Sequence, residues 1–170
     1  MPGRETDWVG ALYDAHGASM YSYALALLGV SEDAEDAVQN VFVKVCSSHR
    51  IPVNPRHYLL RSVRNEAFSR LRKRRLRFWR RAEFSGEAAL FERPQGRRDD
   101  ELEEIEAALC ALPVDQREVM LLKVYEGMTF EQIGRLTGVS PNTAASRYRY
   151  AVEKLRESLA AKEPANNDGL

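Results

Sequence analysis

Three groups of side chains in this sequence have the types and spacing to grip another macromolecule. The first is the run from Arg61 to Arg81, RSVRNEAFSRLRKRRLRFWRR, which holds ten basic residues and a single acid, Glu66. Charge this dense suits a polyanion such as nucleic acid; a solvated helix face or a basic membrane-surface helix would read the same way. The second is SEDAEDAVQNVFVKV, Ser31 to Val45, acidic at one end and apolar along one side, with a polar face of Asp33, Asp36, Gln39 and Asn40. That face is either solvated or offered to a partner. The third is PNTAASRYRYAVEKL, Pro141 to Leu155, where Ala144, Tyr148, Ala151, Val152 and Leu155 share an apolar side. Opposite them stand Asn142, Thr143, Ala145, Ser146, Arg149 and Tyr150, with Arg147 beside them. Small and amide side chains near a helix N-terminus, with arginine one or two turns later, suit the major groove of DNA.

Catalytic and metal chemistry find no such grouping. Cys46 and His49 are close, with His57 nearby, but zinc takes four ligands in most structural sites and no second pair has the spacing. There is no glycine-rich phosphate loop and no nucleophile signature. No cofactor, no metal and no enzymatic activity are expected.

The elements that must carry these groups read as helices, and the fold class expected is all-α. Trp8, Leu12, Tyr13, Met20, Tyr23, Ala24, Leu27 and Leu28 mark a first helix stopped by Gly29. Ser31 is expected to cap a second, with acids in its first turn to complement the helix dipole and Val38, Val41, Phe42 and Val45 as its apolar stripe. A loop over 47–56 leads to Asn54-Pro55, a cap followed by proline at the first helical position. The third helix runs through Tyr58, Leu59, Val63, Ala67 and Leu71 into the basic run. Periodicity then fails between about Ala82 and Asp100, where Gly86, Pro94 and Gly96 point to a flexible linker.

Beyond it, Leu102, Ile105, Leu109 and Leu112 suggest a short helix, and Pro113 opens another that stops at Gly127. Thr129 to Gln132 is a capping box, Thr137-Gly138-Val139 a tight turn, and Ser140-Pro141 a second cap-plus-proline start. A capped helix, a turn with glycine and a second capped helix describe a helix-turn-helix; an ordinary helical hairpin is the plain alternative. The organisation expected is two small helical domains, 1–81 and 101–161, a linker over 82–100 and a polar tail over 162–170.

Charge is distributed in the same blocks. The chain of 170 residues has 25 basic and 25 acidic side chains, yet residues 1–81 carry 14 against 8 and residues 82–106 carry 3 against 9. No apolar run approaches the ~20 residues needed to cross a bilayer, and the N-terminus has no apolar leader segment. The two cysteines make no disulfide framework. A cytoplasmic protein without membrane insertion is expected.

The string D-A-E-D-x-x-Q-x-x-F, Asp33 to Phe42, closely resembles the segment with which bacterial sigma factors grip the clamp of RNA polymerase. LYDAHGASMYSYALALLG before it resembles the preceding helix. HYLLRSVRNEAFSRLRKRRLR after it resembles the segment that melts and reads the −10 promoter element. ALPVDQREVMLLKVYEGMTFEQIGRLTGVSPNTAASRYRYAVEKLRESL is similar to the −35 domain. The chain lacks the extra domains of housekeeping sigma factors and so looks like the extracytoplasmic-function (ECF) branch of the sigma-70 family. It departs from the pattern at Tyr58, where tryptophan is frequent, and at Ala145, where lysine is common.

The resemblance implies partners and roles. Core RNA polymerase would meet Asp33, Asp36, Gln39 and Phe42. A flipped −10 base would meet Arg50 and Asn54 in the loop, Tyr58 would wedge at the duplex fork, and Arg61, Arg64, Asn65 and Arg72 would hold the separated strand. Asn54 has a second reading as a helix cap alone. Asn142, Thr143, Ser146, Arg147, Arg149 and Tyr150 would read the −35 duplex. Arg74, Arg75 and Arg77 would touch phosphate only, and an anti-sigma factor is a further partner. Two other readings keep the second half alone or the charge alone. One is a free-standing helix-turn-helix regulator; the other is a helical adaptor or RNA-binding protein.

Overall fold

The computed structural model describes residues 7–50, 52–78 and 100–161, and among them every regular element is a helix. The chain divides into two compact units, Met1–Glu92 and Arg93–Leu170. The expected linker, apart from Asp100, and the expected tail over 162–170 lie outside the described residues.

The first unit holds α1 (Asp7–Leu28), α2 (Ser31–Ser48) and α3 (Pro55–Phe78), each packed on the other two. Its core is Met20, Leu25 and Leu27 of α1, Val41 and Val45 of α2, and Leu59, Leu60, Val63 and Ala67 of α3. The last two turns of α1, from Ser22 to Leu28, are buried all round, because α2 and α3 cover it from different sides. Gly29 ends α1 as expected: its φ of 70° is left-handed, where a side chain would be strained, and its N–H donates to the Leu25 carbonyl at 2.7 Å.

Ser31 is not the cap of α2. Val30 occupies that position with extended backbone and no side-chain bond, and Ser31 is already helical. The connection is only Gly29 and Val30, so α2 starts one residue earlier than the polar residue suggested, while Glu32 and Asp33 still lie in its first turn. The loop that follows is also shorter than expected. Ser47 and Ser48 stay in α2, and His49, at φ 50°, turns the chain out. Asn54 does cap α3: its Oδ1 accepts from the His57 N–H at 3.1 Å.

The second unit holds α4 (Asp100–Ala111), α5 (Val114–Val124), α6 (Phe130–Thr137) and α7 (Pro141–Ala160). α7 touches all three others, and Leu109, Val119, Leu122, Ile133, Leu136, Ala144 and Ala151 are buried among them. α5 ends at Val124 rather than at Gly127; Gly127, at φ 65°, completes the turn after it, and Met128 N–H donates back to Leu122 at 3.0 Å.

The capping box of α6 is complete, with Gln132 N–H to Thr129 Oγ1 at 3.2 Å and Thr129 N–H to Gln132 Oε1 at 2.8 Å. Gly138 leaves α6 at φ 78°. Ser140 Oγ accepts from Thr143 N–H at 3.0 Å, and Pro141 takes the first turn of α7. Gly134 was not singled out by the pattern, yet a Cβ there would sit 2.7 Å from the Val139 carbonyl oxygen. The close turn between α6 and α7 exists because that residue has no side chain.

Candidate nucleic-acid and partner interfaces

α2 buries Ala34, Ala37, Val38, Val41, Phe42 and Val45 and leaves Asp36, Gln39, Asn40, Val43 and Lys44 exposed. Two of the residues expected on the docking face, Asp36 and Gln39, are therefore in the open, and Asp33 is half-buried beside them. Phe42 is not on that face. It is 7% exposed and packs edge-on against Tyr13, ring centroids 5.1 Å apart, because its place in the helical period belongs to the stripe of Val38, Val41 and Val45. The exposed apolar residue here is Val43, 64% open. Its position four residues after Gln39 and seven after Asp36 was the available signal.

The acids are joined to α3. Arg70 Nη1 lies 3.7 Å from Asp33 and 3.5 Å from Asp36, and Arg74 Nη1 lies 3.9 Å from Asp33. Arg74 also donates to the Leu28 carbonyl at 3.1 Å, closing the C-terminal end of α1. It was expected to touch phosphate; in the fold it staples three helices. Glu66 accepts from Lys44 at 3.0 Å and from Asn40 at 3.2 Å, and Arg70 Nε stands 3.4 Å away without a hydrogen bond in its direction. Burial alone would raise the Glu66 carboxyl. The bonds from Lys44 and Asn40, with the charges of Lys44 and Arg70, outweigh it and hold the group below its ordinary value.

On α3, Tyr58, Ser62, Asn65 and Ser69 recur at helical spacing and line a groove of about 290 Å³ with Lys44 and Glu66. The structure thus brings together Tyr58, expected at the duplex fork, and Asn65, expected to hold the separated strand. Arg61 and Arg72 are exposed. Arg64 is half-buried, its guanidinium 4.4 Å from the centre of the Phe68 ring. Arg50 is exposed in the loop. Asn54 is exposed, with its carbonyl oxygen committed to the cap.

On α7, Asn142, Thr143, Arg149 and Tyr150 are exposed and Ser146 is half-buried, so the expected groove face is continuous. Thr143 Oγ1 is 2.9 Å from Ser140 Oγ. Arg147 is turned away from that face: its Nε lies 3.1 Å from Asp115 Oδ2 in the first turn of α5. Tyr148, next along, meets Phe130 of α6 at 5.8 Å. Among the described residues no group of His, Cys, Asp and Glu could hold a metal ion. No described helix is long and apolar enough to cross a membrane.

Two family models match, Sigma-70 region 2 over residues 12–77 and Sigma-70 region 4 over residues 102–155. The chain is 30% identical over 159 residues to the ECF RNA polymerase sigma factor SigL of Mycobacterium tuberculosis, covering 88% of this chain and 87% of that one. This chain belongs to the ECF branch of the sigma-70 family. It is also 32% identical over 144 residues to the ECF sigma factor EcfG of Rhodopseudomonas palustris, covering 83% of this chain and 79% of that one. Among solved structures it resembles the sigma factor RpoE of Bartonella quintana in complex with the anti-sigma factor NepR, at 26% identity and a TM-score of 0.76, over 93% of this chain and 99% of that one.

As an ECF sigma factor it binds core RNA polymerase and directs initiation at promoters. The region 2 match removes the reading as a free-standing regulator, which has no use for residues 12–77. The region 4 match likewise removes the reading as a charge-only adaptor.

Proposed function

We propose that the exposed face of α2, centred on Asp36 and Gln39, is the surface by which this sigma factor docks on the polymerase clamp. The observation that carries it is a row of polar residues left open on a helix whose other side is fully packed. Asp33 backs that row through Arg70 and Arg74, Val43 adds apolar area, and Phe42 supports it from beneath by fixing α2 on α1.

Residues 1–81 then form the unit that docks and opens the −10 element. Tyr58 and Asn65 line the groove for the displaced strand, Arg61, Arg64 and Arg72 supply charge along α3, and Arg50 and Asn54 edge the loop. Residues 101–161 form the −35 reader, with Asn142, Thr143, Ser146, Arg149 and Tyr150 facing the major groove. Residues 82–100 connect them, and 162–170 are a tail. The protein acts by binding alone, without chemistry of its own, in the cytoplasm. An anti-sigma factor is a further partner, supported by the likeness to RpoE, which was solved with NepR.

Run-off transcription with purified core polymerase tests the reading. The chain should yield promoter-specific transcripts that disappear when either promoter element is scrambled. Transcripts indifferent to the −10 sequence would overturn the role given to α3.

A further inference from the structure

We propose that Asp115 is a positioning residue for promoter recognition: it holds Arg147 and so sets the roll of α7 about its own axis. The proposal rests on the reading of α7 as the −35 reader. The buried side of α7 is carried by Ala144 and Ala151, both fully buried. A methyl group lets two helices approach closely but does little to fix their rotation, since neighbouring rolls bury nearly the same area. Direction comes instead from two consecutive residues aimed at different helices.

Tyr148 meets the edge of Phe130 on α6 at 5.8 Å, and Arg147 meets Asp115 on α5 at 3.1 Å. Successive helical residues point about 100° apart, so these two contacts act as a pair of stays. Phe130 is itself held from α5 by Lys123, whose ammonium lies 4.7 Å from its ring centre. Asp115 is fixed in turn at the N-terminal end of α5, where its Oδ1 accepts from the Gln116 N–H at 3.1 Å. A carboxylate there is favoured by the helix dipole. The consequence reaches the groove face directly: a changed roll swings Asn142, Ser146 and Arg149 together, and hydrogen bonds to base edges tolerate little of that.

The role separates cleanly from a phosphate contact. A phosphate-binding arginine adds about one unit to the salt slope and serves every sequence alike. A positioning pair affects the −35 sequence only, and its two members fail as one. The test is anisotropy of the full chain with a −35 duplex and with a scrambled duplex at several salt concentrations. The variants are Asp115→Ala, Arg147→Ala, the double alanine, the exchange Asp115→Arg with Arg147→Asp, and Arg149→Ala, with thermal melting to show that each is folded.

Each single alanine should weaken −35 binding about five- to tenfold, with the double no worse than either. The scrambled duplex and the salt slope should stay unchanged, and the exchange should recover most of the loss. If Arg147→Ala flattens the salt slope while Asp115→Ala does nothing, or if the two losses add, the positioning role is overturned. If Arg149→Ala also leaves −35 binding untouched, the groove reading of α7 falls with it.

Discussion

In the first unit the helix that carries the docking face is held by side chains far apart in sequence. Arg74 reaches the end of α1 and the start of α2, Arg70 spans Asp33 and Asp36, and Lys44 crosses to Glu66. In the second unit α6 and its turn into α7 are closed by bonds made within three or four residues, Thr129 with Gln132, Gly138 with Gly134 and Ser140 with Thr143, and Arg147 to Asp115 is the long reach that ties α7 to α5. Long helices with a deep common core have well-packed middles, so what must be specified is how their charged flanks mesh. α6, with 8 residues, buries little, so its ends and the turn into α7 carry a larger share of the specification. The difference implies that the first unit tolerates surface changes in stability but not in binding, while the second is sensitive at its turns.

The largest effect that should sharpen this contrast is on docking. Asp36→Arg with Gln39→Ala should cut transcription at limiting sigma factor by about 100-fold, since a reversed charge at a docking surface costs several kcal/mol. The helical circular dichroism should barely change, because the ion pair to Arg70 is half-exposed and such pairs contribute little. Core polymerase retained by the double variant in a pull-down would remove the docking role from this face. A collapsed spectrum would instead show that the charge mesh holds the fold.

Next comes the turn of the second unit. Gly134→Ala places a methyl against the Val139 carbonyl, where backbone rather than a flexible side chain must move, and should destabilise that unit by about 2 kcal/mol. Gly10→Ala, with open space around the new methyl, is the control in the first unit. The comparison is read from urea unfolding; equal midpoints for the two variants would break it.

Asn54 should then show the first unit using a local device as well. Asn54→Ala should lose about 1 kcal/mol of stability by removing the cap of α3. Open-complex formation on promoters mutated through the −10 element distinguishes its two roles. Unchanged discrimination leaves Asn54 a cap alone; lost discrimination makes it a reader that also caps.

The smallest effect is a pH dependence at Glu66. Its carboxyl is held below the ordinary value near 4.5, so the folded state binds fewer protons than the unfolded one there. The stability it contributes is present above that ordinary value and is lost as pH falls through the lowered one. The gap in unfolding free energy between wild type and Glu66→Gln, read from urea titrations and under about 1 kcal/mol for such a pair at pH 6, should narrow on acidification below pH 4. A gap that widens would contradict the ion-pair assignment.

Much of this was legible in the sequence for one reason: the signals were local. The caps at Asn54, Thr129 and Ser140, the left-handed stops at Gly29 and Gly138, and the apolar periods of α2 and α7 each rest on groups within a turn or two of one another. The helix period put Phe42 in the apolar stripe, where it is buried, although the family resemblance also implied a polymerase contact for it; Val43, exposed, was not singled out. What only the tertiary structure decided was the fate of long charged side chains. Arg147, Arg149 and Arg74 are the same residue type in similar polar runs, but one is bound to Asp115, 32 positions earlier, one is exposed, and one closes a helix end 46 positions away. Arginine reaches far enough to choose among partners on several elements, so its role depends on which helices pack beside it, and local sequence does not carry that information.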